Sequence, residues 1–395
     1  MIKREVVVLS GVRTAIADFG GTLKDQPASE LAAKVVAEAV NRSGLSPEDI
    51  GHCVIGSVLH GDRRDMYISR VAALKAGLPI ETPSLTVNRL CGSGLQALVS
   101  AAQMILLDDC DAAVAGGSES MSRAPYWLPT ARFGANMGDG SMVDSLTGVL
   151  TCPMGDVHMG VTAENVADQF NISREQQDEL AKQSHQRAQR AIEENRFEGQ
   201  ILPIEIKTRK GVTVFEQDEH IRFDCDIESM AKLRPAFKKD GSVTAGNASG
   251  INDGAAALVL MEKNKAEEKG LKPMAKLIGY AITGVDPSIM GTGPIPAVRK
   301  LLEKTGFKID DIDIWEANEA FAAQALSVSN ELGLDPEKVN PNGSGISLGH
   351  PVGATGAIIS VKALYELERI SGRFAVVTMC IGGGQGIAAL FERVE

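Results

Sequence analysis

The chain has 395 residues, 44% of them hydrophobic and 23% charged, and no apolar run approaches the roughly 18 residues that a membrane helix needs. Acidic residues outnumber basic ones by 51 to 40; the net charge of -11 leaves no basic stripe for nucleic acid, though a local basic pocket could still hold an anion. The cysteines, Cys53, Cys91, Cys110, Cys152, Cys225 and Cys380, are scattered without a Cys-x-x-Cys pair, which suggests neither a metal site nor a disulfide framework and fits a reducing, cytoplasmic setting.

Two basic residues, Lys3 and Arg4, precede the apolar stretch Val6 to Leu9. That stretch is too short for a secretory leader and suits a first buried strand over 5–9. Ser29 is placed to cap a helix over 30–42, with Leu31, Val35, Val36, Ala39 and Val40 as its apolar stripe and Gly44 as its stop. A strand over 53–58, a helix over 69–76 and a strand over 84–87 follow. The last leads into Val87-Asn-Arg-Leu-Cys-Gly-Ser-Gly-Leu-Gln-Ala-Leu98, from which a helix of small residues runs over 95–107. Cys91 thereby sits at a helix N-terminus, where unpaired amides and the helix dipole favour its thiolate. Gly92 and Gly94 let a substrate carbonyl approach the backbone. This is the layout of a nucleophile elbow carrying sulfur; from this stretch alone, a buried cysteine in a tight turn reads equally well. A strand over 111–115 and a turn at Gly116-Gly117 complete an alternation that predicts a largely parallel sheet covered by helices.

Residues 119–249 hold nearly half of the aromatic side chains and one long polar helix over 174–194, capped by Ser173. The rest is short and irregular, as in an insertion that shapes a binding site over an α/β core. The core resumes with an apolar strand over 254–261. The last third repeats the first in outline: an acidic turn before a short strand recurs at 45–55 and 307–315, and Cys91 to Ala97 compares with His350 to Gly356, each opening a helix of small residues. This predicts a duplicated domain, with 1–118 plus 250–270 as one half, 119–249 as a loop domain and 271–395 as the second half. If the halves pack about a pseudo-twofold axis, the helix starts at Cys91 and His350 converge and a nucleophile meets a base.

Three further motifs belong with Cys91. They are Trp315-Glu-Ala-Asn-Glu-Ala-Phe321, the run from Asn340 to Gly356 that contains His350, and Thr378-Met-Cys-Ile-Gly-Gly-Gly-Gln-Gly386. Singly each has a plain explanation: His350 as a turn residue, Asn318 as a helix cap, Cys380 as a small core residue. In this order, and with the runs 159–165, 233–237, 244–254 and 291–296, they resemble the thiolase family over nearly the whole chain. The likeness is strongest to bacterial acetyl-CoA C-acetyltransferases, and above all to broad-range β-ketothiolases of the polyhydroxyalkanoate type. Ser344, Gly345 and Ser347 stand where most acetoacetyl-CoA thiolases carry Gly, Ala and Ala, and Gly61 to Arg70 departs from the usual amide-rich stretch. These departures bear on acyl chain length and leave the reaction intact.

The resemblance implies an α/β fold with a duplicated, five-layered αβαβα core and an inserted loop domain. The implied reaction is reversible condensation of acetyl-CoA with an acyl-CoA, or thiolysis of a 3-ketoacyl-CoA. It assigns Cys91 as the acylated nucleophile, His350 as its activating base and Cys380 as the base at the α-carbon. One oxyanion hole is implied at the amides of Cys91 and Gly382, another at His350 with a water held by Asn318. Ala245 and Ser249 are implied along the pantetheine tunnel, His158 and Met159 near the thioester, Arg222 at the nucleotide, Ala320 and Phe321 against the arm, and Met290 in the acyl pocket. Coenzyme A and acyl-CoA enter as substrates, with no tightly bound cofactor and no metal. The implied partners are copies of the same chain in a homotetramer, a dimer of dimers, with neither nucleic acid nor membrane. The alternatives are a ketoacyl-synthase-like condensing enzyme and a non-catalytic acyl-CoA- or lipid-binding relative. Cys380 in its Cys-x-Gly-Gly-Gly turn argues against the first, and Cys91, Asn318, His350 and Cys380 together argue against the second.

Overall fold

A computed structural model describes residues 4–134, 136–209 and 211–394; the expected domain ends at 1 and 395 lie outside the described residues. The core begins with β1 (Val6–Thr14), α1 (Ala28–Ser43), β2 (His52–Gly56), α2 (Ile68–Lys75), β3 (Ser84–Val87), α3 (Ser93–Leu106) and β4 (Ala112–Ser120). The middle of the chain carries α4 (Met159–Phe170), α5 (Arg174–Glu193) and the antiparallel pair β5 (Ile204–Thr208) and β6 (Gly211–Phe215). The core resumes with β7 (Asn252–Glu262), β8 (Ala275–Gly284), α6 (Pro294–Thr305), β9 (Ile314–Ala317), α7 (Ala322–Leu332), α8 (Thr355–Arg369), β10 (Phe374–Ile381) and β11 (Gln385–Arg393).

The main sheet runs β9-β10-β11-β8-β1-β7-β4-β2-β3. Its halves mirror each other: β1, β2, β4 and β7 correspond to β8, β9, β10 and β11, and the halves join where Val6, Val7 and Val8 pair with Leu277, Lys276 and Ala275. Even Val339, which bridges Trp315 in parallel, occupies in the second half the place that β3 takes beside β2. Because successive strand residues point to opposite faces, each half-sheet feeds two cores. Val6 and Val8 join α3 and α8 in a central cluster, together with Ala375, Val377 and Met379 of β10. Val7, Leu9 and Val12 pack outward under α1 and α2. Val376, Ala388 and Leu390 pack outward under α6 and α7. The result is five layers, with α3 and α8 in the middle. Backbone meets backbone there: a methyl on Gly94 would lie 2.6 Å from the Ala357 nitrogen, and one on Gly356 would lie 2.3 Å from that of Leu95.

Several expectations are corrected. The sheet is mixed: β3, β2 and β4 are parallel, as are β9 and β10, but β7 runs antiparallel to β4 and β1. β11 also runs antiparallel, to β10, because the short turn Gly382 to Gly384 can only reverse the chain. Gly116 and Gly117 are not a turn. They lie inside β4, where a methyl on Gly117 would come within 2.2 Å of the Gly353 carbonyl oxygen and one on Gly116 within 2.1 Å of that of Ala256, so Gly117 is glycine to admit the His350 loop and Gly116 to admit β7. Ser29 does not cap α1. Its N–H is received by Asp65 Oδ1 at 3.2 Å, and Pro27 precedes the helix. α8 opens only at Thr355, with the turn 351–354 separating it from His350, so only Cys91 sits directly at a helix start. The expected cap of α5 is present: Ser173 and Gln176 form a reciprocal capping box.

Candidate active site

β3 delivers the chain to a tight elbow at Leu90, whose φ of +47 lies in the left-handed region. Ser93 ties the elbow, its Oγ accepting the Arg89 N–H at 2.9 Å and donating to the Leu90 carbonyl at 2.6 Å. Cys91 then faces a cavity of about 400 Å³. Cys380, at the end of β10, and Gly382, in the turn that follows, line the same cavity from the other half of the molecule. So do His350, His158, Met159, Arg222, Ala245, Ser249, Met290, Ala320 and Phe321. Asn318 is the one residue expected at the site that does not line it. It lies buried behind His350, with Nδ2 at 3.4 Å from His350 Nε2. It caps no helix, since α7 starts later, after Phe321.

The electrostatics differ from the reading of Cys91 as a ready thiolate. Burial raises the Cys91 thiol above its ordinary range. The amides of Gly382 and of Cys91 itself, which point at the sulfur, act the other way but do not prevail, and the Glu119 carboxylate adds to the rise. Burial also pushes Cys380 up, with the neighbouring Cys91 sulfur contributing. His350 is held neutral by burial, its pKa lowered to about 4. Its tautomer follows from the network. Thr355 Oγ1 donates to the Pro351 carbonyl at 2.9 Å, so at 2.7 Å from His350 Nδ1 it can only accept. The ring proton therefore resides on Nδ1, and Nε2 offers its lone pair towards Asn318 Nδ2. Asn318 Oδ1 is buried and has no partner among the described residues, which leaves an acceptor open beside the histidine.

Glu119 was not anticipated. Fully buried, it receives the amides of Val58 and Leu59 at 3.0 Å and of Gly353 at 2.9 Å, fastening the His350 loop to the half that carries Cys91; burial raises its pKa to about 8. The signal for it was an acidic residue at the end of an otherwise small and apolar strand. Thr355 and Asn252 lie within motifs that sequence reasoning singled out, yet their partners are distant and no role could be read for them.

One wall of the cavity is aromatic. His158 stacks on Phe237 at 4.7 Å, and Phe237 meets Phe321 edge-on at 6.0 Å. The segment 247–249 pairs with 320–322, through Ser249 N–H to Ala320 at 2.9 Å and Ala322 N–H to Asn247 at 2.8 Å. A second cavity of about 300 Å³ adjoins the first and shares His220, Arg222, Ala245 and Ala248 with it. Arg222 is exposed there, and its guanidinium has no partner among the described residues. Met121 and Val352 pack beside Cys91 together with Val149, whereas Met290 clusters with Cys380, Met159 and Phe321. Neither Ser344, Gly345 and Ser347 nor the segment 61–70 lines the cavity. Ser347 instead hydrogen-bonds Ser184 of α5 at 2.8 Å, so a direct effect of these departures on acyl length is not supported. Among the described residues, no group of three or more His, Cys, Asp or Glu could hold a metal ion.

Two sulfurs from opposite halves of a duplicated fold, with a neutral histidine and inward-pointing amides around one apolar cavity, define an acyltransferase that works through a thioester on the protein. The chain belongs to the thiolase family. Residues 6–264 match the model of the thiolase N-terminal domain, and residues 271–393 match that of the C-terminal domain. It is 61% identical to the beta-ketothiolase BktB of Cupriavidus necator, over 99% of this chain and 100% of that protein. It is 49% identical to an acetyl-CoA acetyltransferase of Chromobacterium violaceum, over 98% and 100%. The fold matches the crystal structure of the Bacillus anthracis acetyl-CoA acetyltransferase with a TM-score of 0.96 and 49% identity, over 99% of each chain. It matches human mitochondrial 3-ketoacyl-CoA thiolase in complex with CoA with a TM-score of 0.97 and 42% identity, over 100% and 99%. The ketoacyl-synthase-like and non-catalytic alternatives are not favoured by these relatives.

Proposed function

We propose that the chain is a β-ketothiolase that transfers an acyl group from one coenzyme A thioester through Cys91 to the α-carbon of acetyl-CoA, or runs the same path backwards as thiolysis. The observation that carries this reading is the meeting of Cys91, His350 and Cys380 on one apolar cavity. In the first half-reaction Cys91 Sγ bonds to the thioester carbonyl carbon while its proton passes to His350 Nε2. The carbon–sulfur bond to coenzyme A then breaks, and the proton leaves with the coenzyme thiol. Both groups are neutral at rest, so charge forms only during attack, where the amides of Cys91 and Gly382 can receive the oxyanion. In the second half-reaction the Cys380 thiol gives its proton to His350 Nε2 and, as thiolate, takes a proton from the α-carbon of acetyl-CoA. His350, now carrying an Nε2–H, and a water on Asn318 stabilise the enolate oxygen, the enolate carbon attacks the acyl carbonyl, and Cys91 leaves with the proton returned by His350. The dry cavity suits a carbon acid, whose enolate water would quench. Mass spectrometry of Cys91→Ala and Cys380→Ala with acetyl-CoA tests the division of labour. The first variant should never acquire an acetyl group, and the second should acquire it on Cys91 yet form no acetoacetyl-CoA. Loss of acetylation in folded Cys380→Ala would refute the scheme.

For the coenzyme, Ala245 and Ser249 line the arm's path and Ala320 and Phe321 pack against it. His158 and Met159 stand near the thioester, Arg222 meets the nucleotide and Met290 borders the reacting end. We divide the chain into 1–118 plus 250–270, 119–249 and 271–395; the separate clusters under α1/α2 and α6/α7 support that division. The protein acts as a cytoplasmic homotetramer, a dimer of dimers. Supporting this, Tyr126, Trp127, Leu128, Phe133, Met137 and Met142 all lie exposed on one irregular segment, the kind of apolar concentration that marks a contact between chains. Among the described residues no helix is long and apolar enough to cross a membrane. Light scattering should give four chains per particle in the wild type and a smaller species after Trp127→Asp with Phe133→Asp; unchanged particles would count against this segment as the contact.

A further inference from the structure

The loop that carries Arg222 is fastened to the core at every step. Asp218 takes both terminal nitrogens of Arg13 at 2.8 and 3.0 Å in a fully buried pair. Glu219 receives the Asp18 amide at 2.9 Å, and the Arg222 amide is donated to His185 Nδ1 at 3.2 Å. Between them His220 Nδ1 lies 2.5 Å from Asp18 Oδ1. That oxygen also accepts Asn252 Nδ2 at 3.3 Å, and Asn252 Oδ1 accepts the backbone N–H of His350 at 2.9 Å. His220 is thus anchored, through Asp18 and Asn252, to the loop of the catalytic histidine. Its ring lies close against the chain beside Ser249, where a methyl on Gly250 would come within 2.5 Å of Cε1. The other nitrogen, Nε2, has no hydrogen bond among the described residues, and the ring lines both cavities at the neck they share with Arg222.

With Asp18 holding a proton on Nδ1, the two states of the ring present opposite faces to a ligand. Neutral, Nε2 is an acceptor; protonated, it is a cationic donor. An ionised diphosphate oxygen of the carrier, which can only accept, hydrogen-bonds the second and not the first. We propose that His220 is a coenzyme-binding residue that donates Nε2–H, as imidazolium, to a diphosphate oxygen of the acyl carrier, so that capture of the carrier is coupled to uptake of a proton. The inference rests on reading the two cavities as the coenzyme site. Among the groups facing the ring, Asp18 and Glu219 favour its charge and Arg222 opposes it. His185, on α5, is kept neutral near physiological pH by burial, with the charges of His220 and Arg222 helping to lower its pKa to about 4. Asp18 in turn is held below the usual carboxylate range, chiefly by His220.

Dephospho-coenzyme A is the suitable probe, since it keeps the diphosphate and lacks the phosphate monoester that itself titrates near neutrality. Calorimetry on the wild type in two buffers of different ionisation enthalpy should show net proton uptake on binding. Affinity should weaken about fivefold from about pH 6 to about pH 8, the scale of a partly exposed charged hydrogen bond. His220→Gln should bind weakly and equally at both pH values. Asp18→Asn should behave alike, and the double variant should be no worse than either, because the pair acts as one unit. Absence of proton uptake by the wild type overturns the proposal, as do additive losses or a wild-type pH dependence in His220→Gln. A wild type that binds neither coenzyme A nor its dephospho form would overturn the functional reading instead.

Discussion

Replacing Thr355 by valine keeps the shape of the side chain and removes one oxygen. That oxygen lies 2.7 Å from His350 Nδ1 and 2.9 Å from the Pro351 carbonyl, and His350 is buried. Without it the ring has two poor choices. It can leave the Nδ1–H unpaired in the interior, at about 1–3 kcal/mol, or move the proton to Nε2, which can then no longer take the proton from Cys91. Either outcome raises the barrier to acylation by a similar amount, which corresponds to roughly ten- to hundredfold in rate. Thr355→Ser retains the acceptor and should stay within about threefold of wild type on the same scale. Rapid-quench mass spectrometry of acetyl-Cys91 under saturating acetyl-CoA measures the rate, and nitrogen chemical shifts of His350 report the tautomer. If Thr355→Val acylates at the wild-type rate, or if serine is as damaging as valine, the tautomer argument is wrong.

Two other consequences can be checked more simply. Because burial raises the Cys91 thiol, alkylation by iodoacetamide, followed at the Cys91 peptide, should climb about tenfold per pH unit from about pH 7 to about pH 9; a flat profile would mean a resting thiolate. Gly117→Ala sets a methyl 2.2 Å from the Gly353 oxygen and cannot be absorbed by a side chain, so the urea midpoint should fall by an amount equivalent to about 1–3 kcal/mol or more at unchanged slope, and acylation should fall with it. An unchanged midpoint would refute the close approach of β4 to the His350 loop.

Much of the site was legible because its signals are local. β3 ends where the β-prone run Ser84 to Val87 ends, α5 starts at a Ser173–Gln176 box, and the glycines around Cys91 and Cys380 mark turns by chemistry alone. What escaped was set by partners far away in sequence. Gly116 and Gly117 look like a turn until Ala256 and Gly353 are seen pressing on them. Ser29 looks like a cap until Asp65 does that work. Antiparallel β7 cannot be read from the pattern of its own residues, because direction depends on how a long insertion brings the chain back. The resting state of Cys91 was misread for a similar reason: a helix terminus is visible in sequence, while the depth of the cavity around it is not.

The contact of Gly94 with α8 and of Gly356 with α3 brings main chain directly against main chain where the halves meet. No longer side chain at those two positions can open a gap there, so the spacing of the two central helices is fixed by backbone atoms alone. On that rigid frame the halves divide their labour: one sets a sulfur just ahead of its central helix, and the other sets a histidine upstream of its own and a sulfur at a strand end.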